Sequence, residues 1–142
     1  MGKRRKPQYQ KKSFESTGVS WDTSANIYMS ILLSEAWRAL TPAQAKLYLY
    51  CKAQLYAEKN KPITIDGETR DEYFTMNRHK WCRLYGLYKD NNREGFHRSM
   101  DALIEKGFVE LIQSGKTNRT KNIYALSSKW QDWKPKMETD SS

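Results

Sequence analysis

Four groups of side chains in this chain could do chemistry, and each does it with hydrogen-bonding groups and positive charge. Asn92, Arg93, His97 and Arg98 set a carboxamide, two guanidinium forks and an imidazole within seven residues. An Arg fork matches paired acceptors such as those of guanine, and an Asn amide matches adenine; each good pair is worth about 1–3 kcal/mol of discrimination. Lys116, Arg119 and Lys121 share a stretch with Gly115 and Asn118 that contains no acid. Lys3, Arg4, Arg5, Lys6, Lys11 and Lys12 all precede the first acid, Glu15, and account for two thirds of the net charge of +9. Runs of this kind neutralise phosphates, giving affinity and register but little sequence information. Asn77, Arg78, His79 and Lys80 open a predicted helix, where N–H groups and cations suit phosphate contact.

Bond-making chemistry has no comparable set. The acids are scattered, no Ser, His and Asp constellation is suggested, there is no GxxxxGK[ST], and the few glycines mark turns. Cys51 and Cys82 fall in predicted helices without a partner at metal-ligand spacing, so reduced thiols are expected rather than a disulfide or a zinc site. The expectation is a protein that is not an enzyme and has no cofactor.

The elements that must position these groups can be read from periodicity and caps. From Asn91 to Leu126 the chain reads as a helix, a glycine stop, a strand, a basic turn and a returning strand. Phe96, Met100, Leu103 and Ile104 fall on one helical face, with Arg93, Glu94, His97, Arg98, Asp101 and Glu105 outside it. Asn91 is the expected N-cap, Glu94 its third-position partner, and Gly107 the left-handed stop. Phe108 to Gln113 and Asn122 to Leu126 are the expected strands. Glu94 and Asp101 share the exposed face and repel phosphate, which ranks Arg93 and Arg98 first. Gly95 leaves room for close approach at a cost of about 1 kcal/mol in helix propensity.

Upstream, Ala25 to Ile31 suits a short strand or extended segment, and Ser34 caps a short helix through Ala39. Thr41-Pro42-Ala43-Gln44 is a capping box with proline in the first turn, opening a helix predicted to reach Lys59. Its Leu47, Cys51 and Leu55 stripe is accompanied by Tyr48, Leu49, Tyr50 and Tyr56, which implies burial or a second face for a partner. Asp66-Gly67 suits a hairpin turn inside an acidic insertion, Asn60 to Tyr73, readable as a partner surface or as a solvated loop. Phe74 to Met76 is the small strand expected to join the sheet. Asn77 then caps a helix over Arg78 to Tyr85 with Trp81 and Leu84 inward, ended by Gly86. Trp130, Trp133 and Pro135 suggest that the chain packs back onto the domain.

Met100 to Val109, MDALIEKGFV, resembles the recognition-helix end and first wing strand of bacterial winged helix-turn-helix proteins, where a leucine-rich helix end, Glu-Lys-Gly and an apolar pair recur. Ser34 to Leu40 and Thr41 to Lys59 resemble the opening helices of such proteins on Gram-positive plasmids, phages and conjugative elements, among them replication-initiator N-terminal regions and conjugative-transfer accessory proteins. The resemblance spans Ala25 to Trp130, about three quarters of the chain. Leu87 to Asn91 departs from it, being longer and more polar than the family turn. It implies a mainly α fold with a small antiparallel β-sheet, a winged helix-turn-helix. It also implies a sequence-specific double-stranded DNA-binding protein that assists a relaxase or replication protein at a transfer or replication origin. A transcription regulator and a protein–protein interaction module are the alternatives.

Length and composition set the bounds. With 142 residues and 38% hydrophobic content the chain suits one domain with one modest core. The expected division is a disordered basic arm at 1–24, a folded domain at 25–131 and a tail at 132–142. The arm has a plainer reading as a solubilising segment, but beside a helix and hairpin it points to nucleic acid. With no apolar run near the roughly 18–20 residues that span a bilayer and no signal-peptide core, a cytoplasmic protein without a membrane partner is expected. Whether it binds as a homodimer on a palindromic site is left open by the sequence.

Overall fold

A computed structural model describes residues 12–15, 17–18, 22–57, 61–115 and 122–135. Residues 22–28 carry no regular structure and lead into α1 (Met29–Leu32) and α2 (Glu35–Arg38). Of the strand or extended segment expected at Ala25 to Ile31, no strand forms and a helical turn takes over at Met29. Local bonds explain this: the Ser34 hydroxyl donates to the Ile31 carbonyl at 2.6 Å and accepts from the Trp37 N–H at 3.1 Å, joining both turns around buried Ile31 and Ala36. The capping box at Thr41 and Gln44 is present and opens α3 (Pro42–Ala53). Leu47, Tyr48 and Cys51 of α3 are buried, while Leu49 and Tyr56 are exposed. The helix stops short of Lys59. Gln54 is drawn inward to accept from the Lys80 ammonium at 2.8 Å, the chain tightens into a 3-10 turn at Gln54–Tyr56, and Ala57 is extended.

β1 (Ile63–Ile65) and β2 (Glu68–Arg70) form the predicted hairpin, with Asp66 and Gly67 both at positive φ as a two-residue primed turn requires. β3 (Tyr73–Phe74), β4 (Val109–Gln113) and β5 (Ile123–Leu126) form a second antiparallel sheet in the order β3-β5-β4. β3 begins one residue before the predicted strand and ends at Phe74. Beyond it the Thr75 carbonyl accepts from Lys80 and the Asn77 side chain caps the next segment, so the ladder cannot continue.

The segment after Asn77 is a π-helical turn, His79–Leu84, rather than an α-helix. The Tyr85 N–H donates to the Lys80 carbonyl five residues back. This wider winding turns Leu84 off the Trp81 side: Trp81 is buried and Leu84, expected inward, is 59% exposed. The apolar supply comes instead from Leu87 and Tyr88, whose N–H groups both reach the Trp81 carbonyl.

α4 (Arg93–Glu105) buries Phe96, Ser99, Met100 and Leu103, matching the predicted face, with Ile104 partly buried. Its N-cap is Asn92, not Asn91: the Asn92 carboxamide oxygen accepts from the Gly95 N–H at 3.1 Å. Glu94 consequently falls at the second helical position and no capping box forms. At the other end Gly107, φ +85°, closes a Schellman motif, with the Phe108 N–H on the Leu103 carbonyl and the Gly107 N–H on the Ile104 carbonyl. The core where α3, α4 and the sheet meet contains Leu47, Phe74, Trp81, Phe96, Leu103, Phe108, Val109 and Tyr124. Helices with small antiparallel sheets thus make a mixed α and β architecture. Among the described residues no helix is long and apolar enough to cross a membrane.

Candidate nucleic-acid interface

A groove of about 940 Å³ runs between the start of the π turn, the first half of α4 and the root of the β4–β5 hairpin. Its floor is aromatic and apolar, from Met76, Trp81, Phe96 and Tyr124, and its rim carries Arg78, Asp90, Arg93, His97 and Asp101. Trp81 and Phe96 stack with centroids 5.2 Å apart and planes 14° apart, locking the π turn onto α4 beneath the rim.

The predicted contact residues of α4 divide by what already holds them. Arg93 is exposed and its Nε donates to His97 Nε2 at 3.3 Å. His97 is half-buried, edge-on to Phe96. Arg98 is exposed and makes no hydrogen bond or ion pair with another described residue. Asn92 is committed to capping. Gly95 is explained by the same cap, since a Cβ there would sit 2.6 Å from Asn92 Nδ2 and 2.7 Å from Oδ1; the space that glycine leaves is filled by this chain itself.

The group opening the π turn divides in the same way. The Asn77 oxygen accepts from the Lys80 N–H at 3.0 Å, so it is a cap, and His79 is exposed. Lys80 is turned inward, its ammonium 2.8 Å from Gln54 Oε1 and 2.9 Å from both oxygens of Thr75. Arg78 faces the rim and is clasped by Asp90 across twelve residues, Nε on Oδ1 and Nη2 on Oδ2, each at 2.5 Å. The guanidinium beside Asp90 holds that carboxyl below the usual carboxylate range. Sequence reading missed Asp90, because no spacing rule links it to Arg78.

Lys116, Arg119 and Lys121 lie outside the described residues, as do Lys3, Arg4, Arg5, Lys6 and Lys11. Lys12 is described and exposed, its N–H bonded to Glu15 Oε1 at 2.8 Å at the start of a 3-10 turn, Ser13–Glu15. The hairpin root is tied by the Asn122 side chain, which accepts from the Gly115 N–H at 2.6 Å and donates to Tyr124 Oη at 3.2 Å. Thus the ends of the basic stretch are fastened beside the groove.

Charge is distributed unevenly. The described residues carry fifteen Lys and Arg against thirteen Asp and Glu, a net of +2 of the chain's +9. On the outward side of α4, Arg93 and Arg98 are outnumbered by Glu94, Asp101 and Glu105. The positive excess of the chain therefore lies mainly in the N-terminal arm and the stretch 116–121, and α4 offers an outward surface of mixed charge. The two cysteines are free; Cys51 is fully buried, and burial pushes its thiol well above the ordinary range. Comparison of the chain with protein-family models, with curated proteins and with solved structures gives no match.

Proposed function

We infer that this chain is a non-catalytic, sequence-selective double-stranded DNA-binding protein with a winged helix-turn-helix architecture. The observation that carries the reading is the placing of α4: its apolar face is buried, Arg93 stands on the groove rim beside the tied root of the β4–β5 hairpin, whose connecting stretch carries Lys116, Arg119 and Lys121 in the sequence, and Arg98 is exposed on the same helix. The order of the sheet supports it, since β5 lies between β3 and β4 and so fixes the hairpin against the strand that leads into the π turn. A B-form major groove admits one α-helix, and side chains from the helix's N-terminal half reach the base edges. In this chain Arg93 and Arg98 supply the selective contacts, and the hairpin cations and N-terminal arm neutralise phosphates. The sequence resemblance at Ser34 to Leu40 and Thr41 to Lys59 favours an accessory role at a transfer or replication origin of a mobile element, with a relaxase or replication protein as partner.

The test is a salt series of duplex binding by the full chain. Neutralising about six phosphates gives a log–log slope near −5, and Arg93→Ala with Arg98→Ala removes sequence preference while most of the slope stays. A slope near zero, or sequence preference unchanged in the double variant, overturns the reading.

A further inference from the structure

The Arg78–Asp90 clasp joins two exposed groups on the rim of the groove, with side-chain exposures of 61% and 58%. It is two-pronged, the geometry with which a guanidinium also takes two phosphate oxygens. Exposed pairs of this type are worth little in water, so exchange of one anion for another is nearly balanced. Asp90 cannot simply follow Arg78 away. Its connection is held on both sides, by Leu87 and Tyr88 N–H groups on the Trp81 carbonyl and by the Asn92 N–H on the Lys89 carbonyl.

We propose that Asp90 is a built-in competitor for the DNA backbone: it occupies the Arg78 fork in the free protein, and a phosphate takes its place when a duplex is seated in the groove. The inference rests on the DNA-binding reading and adds how one contact of that surface is withheld. A duplex lying loosely across the arm meets a neutral pair at this rim. Only one drawn up to α4, beside Arg93 and His97, brings a phosphate close enough to displace the carboxylate. Asp90, parted from the guanidinium and left with the Cys82 thiol at 3.9 Å, then repels any phosphate that does not sit on Arg78. The clasp therefore favours the seated complex over the loose one.

The experiment measures binding of a fluorescein-labelled, mixed-sequence duplex by the full chain across a salt series, for the wild type, Arg78→Gln and Asp90→Asn. The expected result for Arg78→Gln is weaker binding with a log–log slope shallower by about 0.9, one phosphate contact fewer. Asp90→Asn binds several-fold more tightly than the wild type with the slope kept, because no carboxylate has to be displaced. A merely structural clasp moves the melting temperature of both variants and leaves the Arg78→Gln slope at the wild-type value, which overturns the proposal. Weaker binding by Asp90→Asn overturns it as well. Failure of the wild type to bind any duplex at low salt overturns the DNA-binding reading itself, a result distinct from an unchanged slope in a protein that binds.

Discussion

Trp130 stacks on Phe108 with centroids 6.1 Å apart and planes 10° apart, and its N–H donates to the Gly107 carbonyl at 3.0 Å. The chain after β5 thus folds back onto the stop of α4. A Cβ at Gly107 would lie 2.5 Å from the Trp130 nitrogen and 2.6 Å from the Lys129 carbonyl carbon, in a backbone conformation that disfavours any side chain. Gly107→Ala is expected to destabilise the protein by about 1–3 kcal/mol through strain alone, with the backbone clash moving it to the upper end. Urea unfolding measures this; a loss well below 1 kcal/mol would show that the return segment does not press on the helix stop.

Asn92 and Gly95 should behave as one unit. Asn92→Ala removes the cap at a cost of about 1 kcal/mol. Gly95→Ala in the wild type is expected to be near neutral, its gain in helix propensity of about 1 kcal/mol offset by displacement of the Asn92 amide. In the Asn92→Ala background the same change should stabilise by about that amount. A thermodynamic cycle from chemical denaturation tests the coupling, and strict additivity would refute it.

Lys80 is assigned to stability. Lys80→Met strips charged hydrogen bonds from Gln54 and Thr75 and is expected to cost about 1–3 kcal/mol. DNA affinity of the folded variant should hold at matched salt, in contrast to Arg78→Gln. Selective loss of affinity with unaltered stability would return Lys80 to the interface.

Acid titration reads the Arg78–Asp90 clasp directly. The side-chain hydrogen bond from Arg78 lowers the Asp90 carboxyl in the folded protein relative to the unfolded chain. The associated stability is therefore present above the unfolded value and is lost as pH falls through the folded one. Carboxyl chemical shifts of Asp90 should show a midpoint below the ordinary aspartate range, returning to that range in Arg78→Gln. Identical midpoints in the two proteins would contradict the clasp in solution.

What was legible in the sequence was what neighbours decide. Ser34, the Thr41 and Gln44 box, Asp66-Gly67 and Gly107 each act within a few residues, and each is where local chemistry puts it. The inward face of α4 was legible for the same reason, since a 3.6-residue period is a local property. Leu84 was misplaced because nothing in its spacing announces π winding. Lys80 and Arg78 look alike in a string of cations. Their fates part through Gln54, twenty-six residues before Lys80, and Asp90, twelve after Arg78. The candidate site was thus legible as a region, while its division into caps, a half-buried strut and groups facing outward depended on distant partners.

β5 is the last strand in sequence and the middle one in space. During synthesis β3 and β4 leave the ribosome with no common neighbour, and the sheet can close only once Leu126 has emerged. Pairing of Tyr73 with Ala125 spans more than fifty residues, a long loop to close and a slow step relative to helix formation. Until then α4 can pack on α3 and on Trp81, but Phe74 and Val109 lack their β5 neighbours, so a nascent chain halted before β5 would be a target for chaperones and proteases.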